Sequence, residues 1–298
     1  MSNTNRGILS LLITMIGWSS AGIFIKLLPS MSASLIVSIR LTISLVIIGL
    51  FAFIFKKYNL SYLKELKDFR TWGLGIIIYC CYLFGTLAFQ MAPVAEVTLF
   101  MTMSPIFIII FKLFTKENIS KNELYGISFS ILGVVFITYN QLTLNTNIDI
   151  NRIIGDLYAI LIALLFALYT LIYKKLKNLD KAPNTFIISI STFFIGFISL
   201  LFLYSNNNNV FNVLDLKSNY LWYLLGISIL STTIPTISYT LASKYLSPIS
   251  TASILLLQPF IAIALSAFFI NEIPSLLFIP GLITILLGLF IMLKNQIK

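Results

Sequence analysis

Residues 104–133, SPIFIIIFKLFTKENISKNELYGISFSILG, and residues 258–288, QPFIAIALSAFFINEIPSLLFIPGLITILLG, follow one pattern, and this pattern decides the fold. In each stretch a proline precedes a glutamate and then two glycines: Pro105, Glu117, Gly126 and Gly133 in the first, and Pro259, Glu272, Gly281 and Gly288 in the second. The glutamate-to-glycine and glycine-to-glycine spacings agree, while the proline-to-glutamate interval differs by one residue. We therefore predict an internal repeat.

The starts of the two halves match as well. Gly7 and Lys26 have the same separation as Gly155 and Lys174. The predicted organisation is a first repeat over residues 1–140, a connecting loop on the outer side over 141–153, and a second repeat over 154–298. Glycines seven residues apart on one helix are typical of close helix packing, which is the simplest role for these glycines.

The amino-acid composition indicates a protein that folds in a lipid membrane. The 298 residues are 58% hydrophobic and 10% charged, with a mean hydropathy of +0.97, whereas a water-soluble domain carries about a quarter charged residues. Apolar runs of about 20 residues, the length that crosses a bilayer as a helix, recur along the chain. They predict ten transmembrane helices, at about 7–28, 33–55, 71–91, 93–115, 122–140, 154–173, 183–204, 220–242, 247–270 and 274–293.

The distribution of positive charge predicts the orientation. The net charge is +10, and sixteen of the twenty lysines and arginines lie in alternate connections or at the termini on one predicted side. Positive residues favour the cytoplasmic side of a membrane, so both termini are predicted to be cytoplasmic. This asymmetry accounts for the basic excess without a nucleic-acid partner. Lys26, Arg152 and Lys217 fall on the outer side, and Arg40 falls within a span.

An odd number of spans in each repeat has a topological consequence. After five spans, the second repeat enters the membrane from the opposite side, which gives inverted-topology repeats related by an axis in the membrane plane. The predicted fold is therefore an all-α integral membrane protein of ten transmembrane helices, arranged as two inverted-topology five-helix repeats. Such pairs are typical of carriers that work by alternating access.

The residue inventory argues against several other functions. The chain has no histidine, and its two cysteines, Cys80 and Cys81, are adjacent within one span, so no metal or cofactor is expected. A phosphate-binding G-x-x-x-x-G-K-[ST] loop does not occur in the sequence. An enzyme is not expected, although a passive channel and an intramembrane lipid- or glycosyl-modifying enzyme remain the alternatives.

Several motifs together resemble the drug/metabolite transporter superfamily, and within it the ten-span EamA-like family. They are Ile16-Gly17-Trp18, Arg40, the segment 92–105 ending in Ser104-Pro105, Gly155-Asp156-Leu157, Gln258-Pro259, Asn271-Glu272 and the two glycine series. The resemblance covers nearly the whole chain. It implies a secondary carrier in a bacterial cytoplasmic membrane, in contact with lipid, which often exports amino acids or related small solutes through a central cavity between the halves.

Glu96 departs from this resemblance, because that part of the fourth span is usually small and neutral in the family. Pro93 suits a first helical position, so Glu96 lies about one turn into the span. One interpretation is a hydrated charge at the outer helix end, favoured by the helix dipole. The other is a carboxylate in the cavity that binds a substrate amine or couples transport to protons.

Arg40 lies about seven residues into the second span, where it has to pair or line water. Its guanidinium fits a substrate carboxylate or phosphate. The structural alternative is an ion pair, with Glu96 the nearest partner in predicted depth. A cavity holding both charges suits a zwitterion such as an amino acid.

Uncharged side chains complete the predicted substrate site. They supply ring faces, hydroxyls and amides, and they are Trp18, Tyr79, Tyr82, Gln90, Thr98, Ser104, Tyr239 and Gln258. Three prolines interrupt helical hydrogen bonding within spans and are candidate kinks or gating points, namely Pro105, Pro235 and Pro259. Asp156 is expected to cap or stabilise the start of the sixth span.

Overall fold

The computed structural model describes residues 3–55, 60–114, 120–144, 149–206, 219–246, 254–276 and 278–294, and all regular structure in these ranges is helical. The first half contains α1 (Asn3–Lys26), α2 (Ala33–Phe55), a 3₁₀ helix (Leu60–Lys67), α3 (Phe69–Met91), α4 (Val94–Met101), α5 (Ser104–Phe114) and α6 (Lys121–Leu144). The second half contains α7 (Ile150–Asn178), α8 (Thr185–Asn206), α9 (Tyr220–Ser228), a π-helical turn (Ile229–Thr233), α10 (Ile234–Tyr245), α11 (Gln258–Ile270) and α12 (Phe278–Lys294).

Seven stretches of the described chain are long and apolar enough to cross a bilayer. They are Thr4–Lys26, Ala33–Leu50, Phe69–Met91, Val94–Phe114, Ile150–Asn178, Thr185–Asn206 and Tyr220–Ala242. Two shorter apolar helices, Gln258–Ile270 and Phe278–Ile291, follow them. These helices confirm a multi-pass membrane fold, while the count of ten spans and the side on which the termini lie stay predictions.

The predicted fourth span is not one continuous helix. Two residues, Thr102 and Met103, separate α4 from α5, and their N–H groups make tight bonds to Leu99 O (3.1 Å) and Phe100 O (3.1 Å). Pro105 is the second residue of α5, where its missing N–H costs little because the first N–H groups of a helix have no partner within it. The break therefore lies just before Pro105, at a position where the proline interrupts no hydrogen bond within a helix.

The ninth span repeats this arrangement. A turn at Leu257, whose N–H bonds to Ile254 O at 3.0 Å, precedes α11, and Pro259 is the second residue of that helix. Residues 247–253 at the start of the predicted span lie outside the described residues. Discontinuous helices at matching positions of two repeats are typical of transporter binding sites.

The start of the sixth span corrects one prediction. α7 begins at Ile150, four residues earlier than predicted, and Asp149 is its N-cap, accepting a bond from Arg152 N at 3.3 Å. Asp156, predicted to cap this helix, lies instead in its second turn and is 7% exposed. Because Asp149 already accepts from the first turn, the capping role falls to it.

The two halves pack with the antiparallel geometry that an inverted repeat requires. α2 and its counterpart α8 run in opposite directions, since Ser38 bonds to Ser199 while a Cβ at Gly196 would meet Leu41. The packing of α1 against α10 is matched by that of α7 against α3. A two-fold axis perpendicular to the helices relates such pairs, as in inverted-topology repeats.

Glycines allow a close contact between the last helices of the two halves. α6 and α12 cross antiparallel along a seam in which a Cβ at Gly281 would lie 3.1 Å from Gly133 O, and one at Gly288 would lie 2.5 Å from Gly126 O. These are the four glycines of the repeat pattern, and their packing role is confirmed. Glu117, which belongs to the same pattern, lies outside the described residues.

Candidate functional site

The π-helical turn in the eighth span and the buried Arg40 form the centre of the candidate site. Pro235 follows the turn by two residues and donates no backbone bond into it. Ile234 N instead bonds five residues back to Ile229 O. Arg40 Nη2 donates to Ser231 O at 3.4 Å, and Arg40 Nε donates to Thr232 Oγ1 at 2.8 Å. The irregular backbone thus supplies acceptors to an arginine of the other half.

Arg40 has an aromatic partner and no acidic one among the described ion pairs. It is 3% exposed, and its Cζ lies 4.7 Å from the ring centroid of Tyr82 on α3. The ring face attracts a cation but does not neutralise it. The site therefore holds a positive charge within the bundle, between α2 and α3 of the first half and the π-helical turn of the second.

Hydroxyl groups surround this charge. Ser20 Oγ on α1 lies 2.7 Å from Ser231 Oγ, which joins the two halves beside the arginine. On the other side, Ser44 Oγ donates to Arg40 O at 2.8 Å and to Ser228 O at 3.1 Å. These bonds fix the backbone positions of Arg40 and of the π-helical turn.

Close helix contact next to the arginine depends on one glycine of the Ile16-Gly17-Trp18 motif. A Cβ at Gly17 would lie 2.5 Å from Leu230 O and 2.2 Å from Pro235 Cγ. The next residue, Trp18, is half-buried and its ring centroid lies 5.3 Å from that of Tyr239 on α10. Trp18 and Tyr239 therefore form an aromatic pair across the halves, and Tyr239 lies six residues beyond the end of the π-helical turn.

Tyr79 belongs to a second polar contact on the other side of α2. Its hydroxyl donates to Ser199 Oγ at 2.8 Å, and Ser38 Oγ donates to the same oxygen at 2.8 Å. This contact joins α3, α2 and α8. Arg40 and Tyr82 are therefore brought together, whereas Tyr79 lies at a neighbouring helix junction.

Glu96 is not the partner of Arg40, and the predicted pair between them is wrong. Arg152 on α7 holds Glu96 through two bonds, Nε to Oε2 at 2.9 Å and a shorter one from Nη2 to Oε1. The Glu96 side chain is 5% exposed and that of Arg152 is 25% exposed. α7 packs against α4, which brings the first turns of both helices to one end of the bundle.

A second ionic contact lies at this same end, which we call the Glu96 end and define by Lys26, Glu96, Arg152 and Glu272. Lys26 Nζ lies 4.0 Å from Glu272 Oε2, and the other oxygen of Glu272 accepts a short bond from Val94 N at the start of α4. An anion at a helix N-terminus is stabilised by its unpaired N–H groups and by the dipole. All three contacts join the first half to the second.

The remaining predicted site residues are dispersed. Gln90 Nε2 donates to Met31 O at 2.8 Å, and Thr98 Oγ1 bonds within its own helix to Val94 O at 2.6 Å. Ser104 begins α5 at the helix break, and Gln258 begins α11, where its carbonyl accepts from Ser19 Oγ at 3.2 Å. None of these described bonds involves Arg40 or Tyr82.

Sequence reasoning missed the partners of both charges. Ser231, Thr232 and Thr233 form a polar triplet inside an apolar span just before Pro235, and this was the available signal for the irregular turn. Arg152 carried a weaker signal, as one of few basic residues on the predicted outer side. Among the described residues, no group of three His, Cys, Asp or Glu side chains is placed to hold a metal ion.

Comparison with known proteins identifies relatives for nearly the whole chain. The model of the EamA-like transporter family matches residues 5–139 and 153–294. An uncharacterized transporter of Clostridium kluyveri is 26% identical over 185 residues, which cover 61% of this chain and 58% of that relative's length. A solved crystal structure has a TM-score of 0.63 at 17% identity and covers 97% of this chain and 96% of the other, which shows a common fold. The family and the relative's name point to a transporter rather than to an enzyme.

Proposed function

The chain belongs to the EamA-like transporter family, and we propose on that premise that it is a secondary transporter which exports small polar metabolites, such as amino acids, across the cytoplasmic membrane. The observation that carries the proposal is the buried Arg40 on α2, bonded to the π-helical turn of the second half. A charged side chain inside a membrane bundle is costly and is typical of a substrate pathway.

The position of this site between the halves supports alternating access. A solute bound at Arg40 contacts groups from both repeats, because Ser231 and Thr232 belong to the second half and Tyr82 to the first. Rocking one repeat against the other then exposes the solute to each side of the membrane in turn. We assign the bending of the helices during this movement to the breaks before α5 and α11.

The Glu96 end supplies the contacts that have to break during this movement. The pairs Glu96–Arg152 and Lys26–Glu272 each link the two halves. In the orientation predicted from the positive charges, this end faces outward. We assign these pairs to the closing of the exit side, and Glu96 is the carboxylate that a coupled proton would neutralise there.

Counterflow tests the proposal directly. Purified protein is reconstituted into vesicles loaded with unlabelled amino acids, and the entry of a labelled amino-acid mixture is followed. We expect saturable uptake that exceeds its equilibrium value transiently, because a carrier exchanges bound solutes across the membrane. Flux that neither saturates nor shows counterflow would indicate a channel. Chemical conversion of lipid or solute in detergent would indicate an enzyme.

A further inference from the structure

The guanidinium of Arg40 keeps donors that the described protein does not use. Of the five N–H donors of an arginine, Nε serves Thr232 and one donor of Nη2 serves Ser231 O. The two donors of Nη1 and the second of Nη2 have no acceptor among the described residues. Nη1 has no bonding partner among the described residues, but it is not fully shielded from solvent. Nη1 therefore keeps a small contact with solvent-accessible space, although Arg40 as a whole is 3% exposed.

The charge of Arg40 is also uncompensated within the described part of the chain. Its described partners are a hydroxyl, a carbonyl and the Tyr82 ring, all of them neutral. Among the buried acidic side chains of the described chain, Glu96 pairs with Arg152, and Asp156 lies one turn further along α7 from the same arginine. Glu272 pairs with Lys26 at the Glu96 end. A buried cation with free donors is best satisfied by an anion with two oxygens, which matches the planar fork of the guanidinium.

We infer that Arg40 is the carboxylate subsite of this transporter, so that a free carboxylate is obligatory in the substrate and an amino group is dispensable. The inference rests on the proposed transport function and deepens it. It replaces the zwitterion hypothesis, in which Glu96 receives the amine, because Arg152 occupies both oxygens of Glu96. The substrate class is small monocarboxylates, with or without an amine.

Three solute mixtures with the same side chains separate the two groups. The first contains amino acids, the second the corresponding 2-hydroxy acids, and the third the corresponding amines without the carboxylate. Each is tested in counterflow with the full-length wild-type protein in vesicles. We expect the amino acids and the 2-hydroxy acids to exchange and the amines not to exchange. Exchange of the amines, or failure of the 2-hydroxy acids while the amino acids exchange, overturns the inference.

Variants at Arg40 test the same subsite by binding, independently of flux. The melting temperature of the detergent-purified protein is titrated with the 2-hydroxy acid mixture and, in a separate series, with inorganic phosphate. Loss of one charge-assisted contact predicts a fall in apparent affinity of about 10- to 100-fold in Arg40→Gln. Arg70→Gln removes the same charge from the start of α3, where Arg70 pairs with Asp68 at 3.5 Å, and is expected to bind like wild type.

Arg40→Lys keeps the subsite testable if Arg40→Gln does not fold. A lysine retains the charge but lacks the fork, so we expect weakened carboxylate binding that is still present. Unchanged binding in both variants overturns the subsite. Stabilisation by phosphate without any by the 2-hydroxy acids also overturns the assignment to carboxylates.

The two proposals fail separately in these experiments. Exchange that is equally fast in Arg40→Gln and wild type refutes the subsite and leaves the transporter standing. Arg40-dependent binding of 2-hydroxy acids without counterflow of any mixture supports the subsite and refutes transport of this solute class. Absence of both binding and exchange refutes both.

Discussion

The glycine seam between α6 and α12 leads to a quantitative prediction about stability. A Cβ at Gly133 would lie 2.6 Å from Ile285 Cγ1, 2.8 Å from Gly281 O and 3.0 Å from Ile285 N. Two of these three atoms are backbone atoms, which a rotamer change cannot move. Gly133→Ala therefore forces the two helices apart along the seam.

The expected magnitude follows from two opposing terms. Overpacking of a close contact costs about 1–3 kcal/mol, while alanine in place of glycine favours a helix by up to about 1 kcal/mol. Since the backbone atoms resist relaxation, we expect the first term to dominate, with a net loss of roughly 1–2 kcal/mol. The symmetry-related Gly288→Ala, whose Cβ would lie 2.5 Å from Gly126 O, should behave alike.

Gly49→Ala is the matched control, because it lies within α2 and a Cβ there meets nothing within 4 Å. Only the propensity term applies, so its unfolding free energy should be unchanged or raised. The assay is reversible unfolding of purified protein in mixed micelles, followed by far-ultraviolet circular dichroism. The reasoning is refuted if Gly133→Ala and Gly49→Ala are equally stable.

A double substitution at Gly133 and Gly281 sharpens this test. The two glycines lie in one contact, so their effects should be less than additive, because the helices need to separate only once. Gly133→Ala and Gly288→Ala lie in the two symmetry-related contacts and should add more nearly. Equal additivity in both pairs would contradict the seam geometry.

Three further predictions concern charges and hydroxyls. Glu96→Gln and Arg152→Gln should each lower the melting temperature. Because both substitutions remove the same ion pair, the melting temperature of the double variant should fall by less than the sum of the two single decreases. Additive decreases would contradict the pairing. Thr232→Val should weaken the binding of 2-hydroxy acids to the purified protein. Thr42→Val is the control and should leave this binding unchanged, because the Thr42 hydroxyl bonds only within α2. Equal effects of the two substitutions would refute a role for Thr232 in orienting Arg40. Lys26→Gln should change stability by no more than about 1 kcal/mol, because its pair is 4.0 Å apart and partly exposed; a larger loss in the same unfolding assay would show a stronger contact.

Local backbone chemistry explains why much of the fold was predictable. Prolines limit where a helix can continue, and glycines mark where helices approach closely, so Pro105, Pro259 and the two glycine series located the breaks and the seam. The second span was predicted at 33–55 and α2 covers Ala33–Phe55. Other helix ends differ from the predicted span ends by several residues. At α7 the helix starts earlier than predicted because Asp149 caps it, and a hydropathy pattern does not detect a capping residue.

The partners within the site depended on packing between distant parts of the chain. Arg40 and Glu96 were matched by predicted depth, but depth does not specify which side of a helix faces which neighbour. Arg152 reaches Glu96 because α7 packs on α4, and Thr232 reaches Arg40 because the π-helical turn rotates its side chains relative to an α-helix. Predicted depth alone thus did not identify the partner of either charge.

The glycine seam also bears on how the chain is made. α6 closes the first half, while α12 begins only at Phe278, so the surface of α6 that carries Gly126 and Gly133 has to await the synthesis of α12. Until then that surface meets lipid or an insertion factor in place of α12. A premature stop codon before residue 278 would leave this surface of α6 uncovered permanently, and quality-control proteases could recognise the truncated product by it.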